Sequence, residues 1–203
     1  MNSKDKIEYI VNWIKNYTKT IKSQPVTLVI GVSGGVDSAL TSTLCAHTGL
    51  KTIAISMPIK QNSSQHDLSL RHLDFLKQNF DNVDCKIIEL DNIFKTFEST
   101  MQDFDSELAF ANSRSRLRMV TLYQVAQSNN GIVVGTGNKV EDFGVGFYTK
   151  YGDGGVDISP IADCTKSEVW DLATEIGVIK DIIDAAPTDG LWDDSRNDEN
   201  QLG

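Results

Sequence analysis

Eight consecutive residues, Gly31-Val32-Ser33-Gly34-Gly35-Val36-Asp37-Ser38, carry the strongest chemical signal in the sequence. Adjacent glycines let a backbone come close to a ligand and turn several N–H groups into one concavity. A helix that starts directly afterwards adds partial positive charge at its N-terminus. Ser33 and Ser38 bring hydroxyl donors. Together they suit a pyrophosphate. The run has neither the G-K-[ST] of a Walker A loop nor a dinucleotide G-x-G-x-x-G. A carboxylate beside phosphates is repelled unless a cation lies between them, which assigns Asp37 to Mg²⁺. The plainer alternative is a tight strand-to-helix turn in which Asp37 only opens the helix.

A second group is Arg114, Arg116 and Arg118, on a predicted helix where positions 114 and 118 share a face. In an acidic chain such a cluster suits a phosphate-rich ligand, with a solvated helix face as the alternative. Glu141 follows Thr136 in a glycine-rich loop. If that loop faces the phosphate loop, Asp37 and Glu141 share one Mg²⁺. Otherwise Glu141 is an exposed loop carboxylate.

The elements that must position these residues follow from periodicity. Ile7, Ile10, Val11, Ile14 and Tyr17 keep a helical period, with Asp5 and Glu8 at capping-box spacing. Val26–Val32, Thr52–Met57, Asp84–Leu90 and Gly131–Gly135 read as strands. Helices are expected over Ser38–Thr48, Gln65–Phe80, Asn92–Met101 and Ser106–Ser128. Another, Thr165–Ile176, opens with Thr165 and Glu168 at capping-box spacing and stops at Gly177. Thr136 to Asp157 reads as a glycine-rich loop. Strands alternating with helices predict an α/β fold, a doubly wound parallel sheet flanked by helices. Ligands then bind beyond the carboxyl ends of the strands, where both glycine-rich loops fall.

Composition narrows the classes. The 203 residues suit one domain spanning 1–203. A net charge of −9 argues against nonspecific nucleic-acid partners and anionic membranes. No apolar run reaches the ~20 residues a membrane span needs, and the N-terminus shows no secretory h-region. Cys45, Cys85 and Cys164 are widely spaced without C-x-x-C, which reads as three buried thiols in a reducing cytoplasm.

Ser33-Gly34-Gly35-Val36-Asp37-Ser38 after a strand resembles the S-G-G-x-D-S signature of the PP-loop ATP pyrophosphatases. Later motifs resemble one branch of that group, the ammonia-dependent NAD synthetases. These are Asn112 to Met119, Val133 to Glu141, Phe147 to Gly154, Asp157 to Pro160 and Pro187 to Trp192, in order over nearly the whole chain. The resemblance implies an adenine nucleotide alpha hydrolase-like fold and ATP-dependent amidation of deamido-NAD by ammonia. An acyl adenylate would be the intermediate, with pyrophosphate and AMP released. It implies ATP contacts at Gly31 to Ser38, Thr136, Lys166 and Thr188. Asp37 and Glu141 would hold Mg²⁺, and Arg116, Lys150 and Asp157 would contact deamido-NAD. Asp153 would lie near the reacting carboxyl group, so Asp153 and Lys166 are the candidate catalytic residues. A homodimer is implied as well.

The sequence departs from that pattern by one extra residue between Thr136 and Lys150 and by the acidic stretch 187–199. Relatives generally continue past the position of Gly203 with a further helix and a basic segment. These departures leave two alternatives: a trimmed paralogue that amidates a different carboxylate, or a noncatalytic nucleotide-binding protein. A tRNA thiolase would need catalytic cysteines and a basic surface. A glutamine-dependent enzyme would need a glutaminase domain. The acidic segment 184–203, with few apolar anchors besides Leu191 and Trp192, is expected to be a mobile lid over ATP.

Overall fold

A computed structural model describes residues 1–60 and 63–185. Four parallel strands form the sheet: β1 (Thr27–Gly31), β2 (Thr52–Ser56), β3 (Val83–Ile87) and β4 (Gly131–Val134), in the spatial order β3-β2-β1-β4. Val29 of β1 lies opposite Ile53 of β2 and Val133 of β4. Neighbouring positions of β1 serve opposite faces, because strand side chains alternate. Leu28 and Ile30 pack with Ile10 and Ile14 of α1 (Ser3–Lys19), Leu40 and Leu44 of α2 (Val36–His47), and Val169 and Leu172 of α6 (Lys166–Ile176). Val29 packs on the other side with Phe94 of α4 (Asp91–Thr100) and Met119, Leu122 and Ala126 of α5 (Glu107–Ser128). Both faces are therefore covered, which is why β1, β2 and β4 read as largely apolar runs, whereas the edge strand β3 leaves Asp84 and Lys86 exposed. α3 (Ser63–Asn79) packs against β2 and β3.

β2 lies on one side of β1 and β4 on the other. The chain order thus reverses at β1, and a crevice opens between the carboxyl ends of β1 and β4. The loop leaving β4 returns to the same edge, where Ile158 bridges Val134 and Gly135 N–H donates to Ile158 O at 2.8 Å.

Three local expectations change. The first helix is capped by Asn2, whose side chain accepts from Asp5 N–H, rather than by an Asp5–Glu8 box. The segment read as a loop after β4 contains a π-helical turn, Lys139–Val145. A short α7 (Lys180–Ile183) follows α6. The capping box at Thr165 and Glu168 is present, with both reciprocal bonds formed, and Gly177 ends the helix in the left-handed region.

One core residue gives the fold a pH dependence. His72 is fully buried against Phe75, and its Nε2 lies 2.8 Å from Ser42 Oγ. The Ser42 hydroxyl donates to the Ser38 carbonyl at 2.7 Å, so Nε2–H is the donor of the pair. Nδ1 is buried without a hydrogen-bond partner among the described residues. Burial lowers the imidazole pKa to about 4. The unfolded chain then binds the extra proton first, so stability is full above about pH 6.5 and falls as pH drops towards 4. Between pH 7 and 5 His72 should cost about 2 kcal/mol, a loss that His72→Gln should flatten. Urea unfolding of both proteins at the two pH values measures it. Equal pH slopes would show that His72 does not titrate across folding.

Candidate active site at the crevice between the first and fourth strands

The phosphate loop leaves β1 at Gly31 and enters α2 at Val36. Two serines close it. Ser33 N–H donates to Ser38 Oγ at 3.2 Å, the two hydroxyls lie 3.1 Å apart, and Ser38 Oγ donates to Gly35 O at 2.9 Å. Gly35 is the N-cap of α2 and makes no side-chain cap bond. The first-turn N–H groups therefore suit an anion at the crevice. Gly34 has φ +95° and lies against the start of α3, so the loop needs a glycine there.

Across the crevice the loop after β4 meets Asp37 through a residue that sequence reading passed over. Asn138 is fully buried. Its Nδ2 donates to Asp37 Oδ1 at 3.0 Å, and its Oδ1 accepts from the N–H groups of Val140 and Glu141 at 3.0 and 3.1 Å. One amide thus fixes the Asp37 carboxylate and opens the π turn that carries Glu141. Asn three residues before Glu141 is an N-cap spacing, the signal that could have found it. From a third element, Lys166 at the start of α6 brings its ammonium to 2.7 Å from Asp37 Oδ2 and 2.8 Å from Glu141 Oε1. The three side chains are only 18–23% exposed.

Burial raises the Asp37 pKa, the Lys166 charge pulls against that rise, and Glu141 adds to it. Burial likewise opposes the Lys166 charge, but Asp37 and Glu141 outweigh it and raise that pKa. Next to them Asp142 is raised to about 6, by burial and by Asp153, Glu141 and Asp37. Carboxylates thus outnumber the lysine here, a setting that favours additional positive charge.

Two carboxylates from different elements converging on one cation fit Mg²⁺, with the Lys166 ammonium as the stand-in ion. Mg²⁺ takes one or two protein carboxylates and fills its other positions with phosphate oxygens and water. Among the described residues no group of three or more His, Cys, Asp or Glu could hold a metal ion by itself.

The second half of the loop is tied to α5, which explains the Asn112 to Met119 motif. Asn112 Oδ1 accepts from Thr149 Oγ1 at 2.7 Å, and Arg116 Nε donates to the Lys150 carbonyl at 3.0 Å. Ser115 Oγ donates to Asp153 Oδ1 at 2.7 Å and accepts from Asp153 N–H at 3.0 Å. Arg116, Lys150 and Asp153 are therefore brought together. Lys150 Nζ lies 5.1 Å over the Tyr151 ring. Asp157 stands apart, accepting from Val133 N–H at 2.7 Å and Tyr123 OH at 3.1 Å. Thr136 lies just past the end of β4 at the crevice. Thr188 and the lid expected over 184–203 fall, but for Asp184 and Ala185, outside the described residues.

The three arginines do not form one phosphate-facing patch. Arg118 is turned inward, its Nε donating to the Met57 carbonyl at 3.0 Å. Burial and the neighbouring Arg114 lower its pKa to about 10. Arg114 is buried with its guanidinium over the Phe94 ring at 5.8 Å. Positions four apart do share a face of α5, but that face looks into the protein.

Residues 6–203 match the NAD synthase family. The NH(3)-dependent NAD(+) synthetase of Carboxydothermus hydrogenoformans is 36% identical over 208 residues, covering 100% of this chain and 82% of the relative. That of Mesoplasma florum is 37% identical over 211 residues, covering 100% and 81%. Among solved structures, an NMN synthetase from Francisella tularensis superposes with a TM-score of 0.90 at 34% identity, over 99% of this chain and 81% of that one. An NH3-dependent NAD synthetase from Campylobacter jejuni gives 0.80 at 32% identity, over 90% and 77%. With a family match over residues 6–203 and relatives 36% and 37% identical over the whole chain, the chain belongs to the NAD synthase family.

Proposed function

We propose that this protein amidates deamido-NAD with ammonia at the expense of ATP, through an acyl adenylate. The observation that carries this reading is the meeting of Asp37, Glu141 and Lys166 at the mouth of the phosphate loop. A carboxylate is a poor acyl donor because its oxygen leaves badly. Its attack on the α-phosphate forms a new P–O bond, breaks the bond to the β-phosphate oxygen and releases pyrophosphate. Ammonia then attacks the activated carbonyl, loses a proton, and AMP departs as an amide forms. The chain's share is placement and charge compensation. Residues Gly31 to Ser38 and Thr136 bind the triphosphate, and Lys166 neutralises it. Asp37 and Glu141 would hold Mg²⁺, whose chemistry is to offset charge on the phosphates. Arg116 and Lys150 bind deamido-NAD, with Asp157 beside Tyr123 as a further contact. Asp153, tied to Ser115, sits by the reacting carboxyl group.

The reading includes a homodimer. The outer side of α5 exposes Val120, and with Met119, Tyr123 and Tyr151 it lines a shallow apolar hollow. A second copy covering that face would also wall the substrate site, since Arg116 and Tyr123 lie on the same helix. The reading places the protein in the cytoplasm. Its three free cysteines fit a reducing compartment, and among the described residues no helix is long and apolar enough to cross a membrane.

The likeness to an NMN synthetase, at 34% identity over 99% of this chain, brings in a second acceptor, the mononucleotide acid whose amide is NMN. Pyrophosphate release is measured with Mg-ATP and ammonium, adding deamido-NAD or nicotinate mononucleotide. Preference for deamido-NAD supports the first reading, and preference for the mononucleotide supports the second. No release with either would leave a nucleotide-binding protein or a different carboxylate.

A further inference from the structure

We propose that Lys166 is the resident cation of the Asp37–Glu141 pair, and that a divalent ion displaces it only when a triphosphate is present to take the lysine. This rests on the reading that Mg-ATP binds at this crevice, and it adds an order and a coupling to that binding. Lys166 is the first residue of α6, where the helix dipole disfavours a cation. Its charge therefore does nothing for its own helix. It serves the crevice, where it makes two charge-assisted bonds of 2.7 and 2.8 Å to carboxylates on different elements.

The backbone under Lys166 is fixed while the side chain can move. Thr165 and Glu168 form the capping box, and Glu168 also binds Lys6 of α1 at 2.7 Å. A four-carbon stem leaves the ammonium free to swing about that anchor. In the nucleotide-free protein it keeps two like charges in one partly buried site. A bare divalent ion arriving there meets carboxylates already paired, and it would strand the ammonium beside a dication. A triphosphate removes both obstacles. Its oxygens accept the lysine and complete the ion's ligand shell, so Asp37 and Glu141 become available together. Metal and nucleotide then bind with positive coupling, and the coupling is reciprocal.

The test counts free Mn²⁺ by electron paramagnetic resonance, with and without an ATP analogue carrying methylene between the α and β phosphorus atoms. Parent, Lys166→Met, Lys166→Gln and Lys166→Arg proteins are compared. Without nucleotide, the two neutral variants should bind Mn²⁺ about ten-fold more tightly than the parent, and Lys166→Arg should stay weak. The analogue should tighten Mn²⁺ binding strongly in the parent and much less in the neutral variants. Adding Glu141→Gln to Lys166→Met should erase the gain, locating the ion between the same carboxylates. Neutral variants that bind Mn²⁺ no more tightly than the parent would overturn the proposal, and the Gln variant carries the test if the Met variant does not fold. No acceptor is present in the experiment, so a wrong choice between deamido-NAD and another carboxylate would leave the result unchanged.

Discussion

Asp37→Asn should lower pyrophosphate release from ATP by at least about a hundred-fold while leaving the unfolding midpoint almost unchanged. The two effects separate because the substitution changes charge without changing shape. An amide oxygen at position 37 still accepts the Asn138 Nδ2–H bond that Asp37 accepts at 3.0 Å. The amide NH2 group then replaces the oxygen that accepts from Lys166 at 2.7 Å, and the ammonium shifts wholly onto Glu141, 2.8 Å away, so it is not left without a carboxylate. Burial already works against the Asp37 charge, so neutralising it costs the fold little. What disappears is one of the two anionic oxygens able to hold a cation against the phosphates. Glu141→Gln should act in the same direction but less severely, since Glu141 is carried on a turn whereas Asp37 is locked by Asn138. Pyrophosphate release and thermal unfolding of both variants give the answer. Near-normal release by Asp37→Asn would remove it from the cation site, and a large fall in midpoint would mean its role is structural.

The site was legible in the sequence where its chemistry is local. Gly34, Gly35 and Asp37 announce a phosphate loop because the backbone freedom, the helix start and the carboxylate all lie within a few residues. The sheet was legible because β1, β2 and β4 are apolar on both faces. The partnership of Asp37 with Glu141 came through the expectation that both glycine-rich loops share one sheet edge, and the strand order β3-β2-β1-β4 brings them together. Asn138 was missed because its importance lies in a contact with a residue 101 positions away. The arginine cluster misled because helical spacing tells which residues share a face, not where the face points. Arg118 reaches the end of β2 and Arg114 lies on Phe94, contacts that only packing decides. The π turn at Lys139–Val145 was read as a loop, since its glycine and short apolar spacing match neither strand nor α-helix.

The same loop should separate its two glycines sharply. Gly34→Ala is expected to lower ATP-dependent pyrophosphate release by about a hundred-fold and to destabilise the protein by several kcal/mol. Two costs add at this position. The backbone has φ +95°, which a residue bearing a Cβ adopts only with strain of roughly 1–2 kcal/mol. A Cβ there would also stand 2.5 Å from the Gln65 carbonyl oxygen, 3.1 Å from Ser69 N and 3.3 Å from Leu68 Cβ. The first two are backbone atoms of α3 and cannot rotate away, so either the helix or the phosphate loop must shift. A shift of the loop moves Ser33 and the start of α2, and with them the N–H groups that the proposed function assigns to the phosphates. Gly49→Ala isolates the first cost, because φ is +72° with nothing within 4 Å of the added carbon, and it should lose only about 1 kcal/mol. Gly35→Ala isolates the site from the fold. Its φ is −84° and its Cβ would meet only Ser33 Oγ at 3.5 Å, so stability should change by less than about 1 kcal/mol. Urea unfolding of the three variants, followed by pyrophosphate release from those that fold, orders them. If Gly34→Ala proves no less stable than Gly49→Ala, α3 yields to the loop and does not clamp it.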